Sequence, residues 1–178
     1  MCVAYDVFLY IMSANTFEFR DLPAGYLITF RSRGTWLHGD KRGSVDRFHN
    51  RYGSPRLLAN SQRRELNASR LLRSPVILGL SQRKIVEAGI RETCQIRKWN
   101  LWALNVRSNH VHGVVTTHCK PERVLIAFKA NATRKLREAG LWLNSQGPWA
   151  ERGSKRYLWT EEDLVNAIAY VEYDQGEY

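Results

Sequence analysis

Trp99–Val106 (WNLWALNV) and His110–Thr117 (HVHGVVTT) are two runs of β-branched and aromatic residues separated only by Arg107, Ser108 and Asn109. Runs of this composition read as strands, and a three-residue connection suits a hairpin. Side chains alternate across a strand, so His110 and His112 share one face, while Val111, Gly113 and Val115 point to the other. A central hairpin makes the sheet antiparallel, which sets the class of fold.

Working outward, Gly25–Arg31 (GYLITFR) follows Pro23 and reads as an earlier strand of the same sheet. From Ser32 to Ser74 the sequence is irregular and rich in arginine and glycine, with a short helix expected over Ser61–Leu72. Ser81 reads as the N-cap of an amphipathic helix running to Arg97, with Ile85, Val86, Ile90 and Ile96 at roughly helical spacing. Pro121 suits a first helical turn, and Val124, Leu125, Phe128, Ala132 and Leu136 trace a helix face that Gly140 ends. A Trp- and Gly-rich connection leads to Thr160 and Asp163, a capping box for a last helix through about Asp174. The predicted class is α+β, a ferredoxin-like antiparallel sheet with helices packed on one face. Residues 1–178 are expected to form a single domain with a loop-rich basic insertion at about 32–78.

The composition supports a folded, nucleic-acid-seeking chain. Hydrophobic residues make up 44% of 178, enough for a core. Lys and Arg number 27 against 17 Asp and Glu, a net +10 that favours polyanions, although a generically basic soluble protein has the same balance. Cys2, Cys94 and Cys119 are widely spaced and form no C-x-x-C pair, which fits a reducing cytoplasm. No export signal or membrane anchor is expected from Met1–Met12, whose apolar patch is short and broken by Asp6.

Two imidazoles at i and i+2 on a rigid strand can converge on one divalent ion and leave positions open for a phosphate. An isolated His-x-His also suits a half-exposed strand with two wet imidazoles. His118 has the same parity but lies about 20 Å further along an extended strand, so it is read, with His38 and His49, as a surface or loop residue.

Ser108-Asn109-His110-Val111-His112-Gly113-Val114-Val115, followed by a basic helix and a late tyrosine-bearing helix, resembles the HUH single-tyrosine transposases of small insertion sequences. The resemblance includes the REP-associated tyrosine transposases. It extends from Gly25–Phe30 through Trp36–Asp40 to Arg156-Tyr157-Leu158-Trp159, and then to Tyr170-Val171 and Gln175-Gly176-Glu177. It implies that His110 and His112 bind Mg²⁺ or Mn²⁺ and that a helix-borne tyrosine attacks single-stranded or hairpin DNA. The products would be a 5′-phosphotyrosine and a free 3′-hydroxyl. A homodimer is the assembly it favours, although REP-associated relatives can be monomeric. A protein of the same fold that binds a hairpin or repeat without cutting it is the alternative from another class.

Leu164, Ile168 and Val171 share a helix face, and Tyr170 lies about 200° round from Ile168, off the apolar stripe. The resemblance implies a tyrosine followed by a metal-binding polar residue, a pattern that maps best onto Tyr170, the candidate nucleophile ahead of Tyr173. The resemblance implies a third metal ligand one turn after the tyrosine. Gln175, which matches by residue type and by the following Gly176, is the candidate third ligand ahead of Asp174, which matches by spacing. Arg83, Lys84, Lys129, Arg134 and Lys135 are the candidate DNA contacts, and Trp36, Trp149, Tyr157 and Trp159 are candidates for base stacking. Other two-histidine chemistries fit less well: a histidine-triad hydrolase needs a third histidine where Val114 stands, and no second H-x-Thr/Ser repeat supports a phosphodiesterase.

Overall fold

The computed structural model describes residues 22–41, 43, 57–71 and 73–173. In chain order its elements are β1 (Gly25–Ser32), α1 (Ser61–Ser69), α2 (Leu80–Arg97), β2 (Asn100–Val106), β3 (His110–Thr116), α3 (Pro121–Glu138), β4 (Trp149–Leu158) and α4 (Glu161–Glu172). The four strands form one antiparallel sheet in the order β2-β3-β1-β4. With α2 and α3 as its crossovers, this is the ferredoxin-like β-α-β-β-α-β order, and the α+β class is the one expected.

The central strands β1 and β3 are buried on both faces, which explains their nearly continuous apolar sequences. On one face Tyr26, Ile28, Phe30, Val111 and Val115 pack against Val86, Ile90 and Cys94 of α2 and Val124, Phe128 and Leu136 of α3. The other face is not bare. Leu27, Ala103, Val114 and Leu158 meet Ala167 and Val171 of α4, so helices lie on both faces and not on one alone. The difference arises because β1 and β3 carry apolar residues at both parities, and the second set needs a cover.

Local chemistry accounts for the ends of the helices. Gly79, not Ser81, is the N-cap of α2, and its N–H donates to Gln82 Oε1 at 2.9 Å. Ile96 is 73% exposed, because it lies well round the helix from Ile90, and Thr93 and Cys94 take the buried positions. Pro121 opens α3, and Gly140 follows it at φ +68°, a left-handed turn suited to glycine. At α4 the Thr160 hydroxyl accepts from Asp163 N at 3.0 Å, and Asp163 Oδ2 accepts from Thr160 N, as expected of a capping box.

The expected helix at Ser61–Leu72 is α1, three residues shorter, and capped by Asn60, whose Oδ1 accepts from Arg63 N at 2.8 Å. Expectations for Cys2, His49, Asp174, Gln175 and Gly176 fall outside the described residues. Cys94 and Cys119 are free thiols. No helix among the described residues is long and apolar enough to cross a membrane.

Gly153 on β4 lies opposite Phe30, where an added Cβ would stand 2.8 Å from both Thr29 O and Leu125 Cδ1. Backbone oxygen cannot yield, so Gly153→Ala is expected to cost about 1–3 kcal/mol. Gly147→Ala, whose Cβ would come no nearer than 3.5 Å to its neighbours, is expected to stay within about 0.5 kcal/mol of the parent. Urea unfolding of the two variants checks the contrast.

Candidate active site

One register row crosses the whole sheet on the α4 face. Asn105 of β2 is opposite His112 of β3, His112 is opposite Thr29 of β1, and Thr29 is opposite Ser154 of β4. Two residues along, His110 is opposite Arg31. In the other direction Ala103, Val114 and Leu27 make an apolar row, which is the part α4 covers. The face is therefore divided between an apolar half under the helix and a polar half beside it.

The two histidine rings stand with centroids 4.8 Å apart and planes at 82°. Each has an oxygen at its Nδ1: Thr29 Oγ1 at 2.8 Å for His112, and the side-chain Oδ1 of the preceding residue, Asn109, for His110. An amide oxygen can only accept, so His110 carries its proton on Nδ1. If His112 likewise donates to Thr29, each ring presents Nε2 as the ligand atom, the arrangement in which metal-binding histidines are held. Burial, then the neighbouring His110, Arg107 and Arg31, push the His112 imidazole down to about 3. It is therefore neutral, the form a metal requires.

Helix α4 brings the tyrosine. Its apolar stripe seats Ala167 and Val171 on the sheet, and Tyr170 falls at the edge of that contact, 41% exposed. The Tyr170 ring meets the His112 ring edge to face, with centroids 5.7 Å apart and planes at 85°. Asn105 fixes this end of the helix, since its Nδ2 donates to Val171 O at 3.0 Å, an orphan carbonyl of the last turn. Tyr173, the C-cap residue, is 78% exposed.

His110, His112 and Tyr170 are thus brought together. The residues that orient them, Thr29, Asn105 and Asn109, gave no signal by type or spacing. Asn109 alone stood inside the motif. No group of three His, Cys, Asp or Glu side chains suited to a metal gathers among the described residues, and both candidate third ligands, Gln175 and Asp174, fall outside them.

The basic candidates lie elsewhere. Arg83, Lys84, Lys129, Arg134 and Lys135 belong to α2 and α3, the layer on the opposite face of the sheet. Lys129 Nζ donates to the carbonyls of Ala150, Glu151 and Arg152 at 2.8–3.1 Å, and its burial lowers its pKa. Arg134 and Lys135 both pair with Glu92 of α2, and Arg134 also pairs with Glu138. Lys84 is exposed. Among the aromatics, Trp149 packs edge to face on Phe30 and donates its indole N–H to Lys129 O and Thr133 Oγ1, which seats it, partly buried, against the core. Tyr157, near the end of β4, stacks on Trp159 just beyond it, with ring centroids 5.5 Å apart. Trp36 lies under the guanidinium of Arg31.

No protein-family model matches the chain, and a search of curated proteins finds no match. Among solved structures the chain is similar to a REP-associated tyrosine transposase bound to a REP hairpin, with a TM-score of 0.46 and 12% identity over 84% of this chain. This chain spans 66% of that protein's length.

In metal-free protein the depressed His112 value has a definite consequence. Between its ordinary pKa near 6.5 and about 3, the unfolded chain binds a proton on this ring and the folded chain does not. Stability must therefore fall as the pH drops through that window, by up to about 1.4 kcal/mol per pH unit from this group. The expected result in EDTA is a neutral His112 ring by nitrogen NMR at about pH 5 and a flatter acid limb of the stability curve in His112→Gln.

Proposed function

We propose that this chain is a metal-dependent transposase that cleaves and rejoins single-stranded or hairpin DNA, with Tyr170 as the nucleophile. The reading rests on one observation: a half-exposed tyrosine on a helix stands 5.7 Å, ring to ring, from one of two histidines that share a strand face. The Ser108–Val115 motif, which resembles the HUH single-tyrosine transposases, points the same way.

His110 and His112 fit Mg²⁺ or Mn²⁺ as two imidazole donors, with Gln175 or Asp174 as the third ligand. Such an ion would offset charge developing on the phosphate oxygens and fix the phosphate for in-line attack. The Tyr170 hydroxyl loses its proton to solvent and forms the new bond to phosphorus, while the bond from phosphorus to the 3′ oxygen breaks. That oxygen takes up a proton and leaves as a free 3′-hydroxyl, and the 5′ side stays on the tyrosine as a phosphodiester. One ester replaces another, so the linkage is conserved for rejoining. Thr29 and Asn109 hold the imidazoles in orientation, and Asn105 holds the end of the helix that carries the nucleophile.

A denaturing gel of the protein with labelled single-stranded hairpin oligonucleotides and Mn²⁺ tests the reading. The expected outcome is a covalent adduct that disappears with EDTA and in Tyr170→Phe. Salt-sensitive binding with no adduct across the panel would favour a DNA-binding protein without cleavage, and an adduct that survives Tyr170→Phe would move the nucleophile to Tyr173. Thr29→Val, which loses the hydroxyl at His112 Nδ1, is expected to lower adduct formation about 10- to 100-fold, with Thr29→Ser close to the parent.

A further inference from the structure

Arg31 follows Thr29 on the same face of β1 and lies opposite His110. Its guanidinium carbon is 3.5 Å from the centre of the Trp36 ring, and that ring is itself pinned, because its indole N–H donates to Gly43 O at 2.8 Å. A flat, fixed guanidinium is the group best shaped for a phosphate, since two parallel N–H donors match two oxygens and the ordering of the side chain is settled in advance. Beyond it the polar half of the face continues through the hydroxyls of Thr29 and Ser154 to the outer strand. Lys129, Arg134 and Lys135, on the other face, hold α3 to β4 and to α2.

We propose that Arg31, laid on Trp36, is a phosphate-binding residue for single-stranded nucleic acid, and that the strand crosses the polar half of the histidine face and not the α2–α3 layer. The proposal rests on the nucleic-acid reading above and adds to it the path of the substrate and the residue that grips it. Arg31 meets a phosphate of the strand beside the histidines, and Trp36 acts as a positioning residue that keeps the guanidinium in plane.

The test is fluorescence anisotropy of a fluorescein-labelled, mixed-sequence single strand in EDTA, where no cleavage interferes, over a series of KCl concentrations. Arg31→Ala is expected to weaken binding and to reduce the slope of log affinity against log salt by about 0.7, the signature of one lost phosphate contact. Arg31→Lys and Trp36→Leu should keep the slope, since the charge remains, and lose affinity, since the planar stack is gone. The double variant Arg134→Ala, Lys135→Ala should bind as the parent does. Thermal melts identify any variant that is unfolded, and Arg31→Gln replaces Arg31→Ala if that one is.

A parent-like slope and affinity in the Arg31 variants overturns the proposal. So does loss of the slope in the double variant instead, or failure of the parent protein to bind the strand. The two readings fail separately: Arg31-dependent binding with no Mn²⁺-dependent adduct removes the cleavage reading and leaves this one standing. An adduct formed while Arg31→Ala binds like the parent does the reverse.

Discussion

The antiparallel pairing of β1 with β3 sets Thr29 opposite His112 and Arg31 opposite His110, while Phe30 and Val111 meet on the other side of the same ladder. Strand side chains alternate with period two, so a slip of one residue would carry both imidazoles into the core formed with α2 and α3 and bring Phe30 and Val111 out. The apolar parity therefore guards the polar one. Phe30, Val111 and Val115 are essentially inaccessible to solvent, and the energy of burying them holds His110 and His112 in register with the groups that orient them.

The same alternation creates a difficulty, because both central strands also carry apolar residues toward the second face. Helix α4 resolves it only in part. It spans twelve residues, Glu161–Glu172, and covers only the Leu27, Val114 and Ala103 row, with Ala167 and Val171. At that boundary the helix must satisfy its terminal carbonyls, and Asn105 does so from the adjoining polar row. Tyr170 is placed by the same geometry: close enough to the apolar stripe to be held, far enough round to leave its ring half exposed beside His112. The site thus lies where the cover ends, which joins a buried, neutral imidazole to an open surface.

Elements with a strong period were legible in the sequence. The hairpin, β1, α3 and the capping box of α4 follow from alternation, Pro and Gly signals and Thr160 with Asp163. Strand β4 was not legible: it is an edge strand whose Glu151, Arg152, Lys155 and Arg156 suppress any apolar alternation, as charge on an edge does. In the site, the His-x-His spacing fixed a shared face, the helical angle set Tyr170 off the apolar stripe, and the family resemblance chose it over Tyr173. Thr29 and Asn105 become meaningful only once strand register is known, because each acts on a residue far away in the chain.

Charge illustrates a related limit. A surplus of +10 says that the chain favours polyanions and nothing about where. The lysines and arginines of α2 and α3 stand out in the sequence because they lie on regular amphipathic helices, yet Arg134 and Lys135 share Glu92, and Lys129 is taken up by three carbonyls. Such groups are held to the fold on the face opposite the histidines. Arg31 is inconspicuous in sequence, one arginine at the end of an apolar strand. Its position follows from parity, which sets it beside His110, and from the Trp36 ring beneath it. Near a site of this kind, a cation's usefulness depends less on how many others accompany it than on which face of the sheet it occupies.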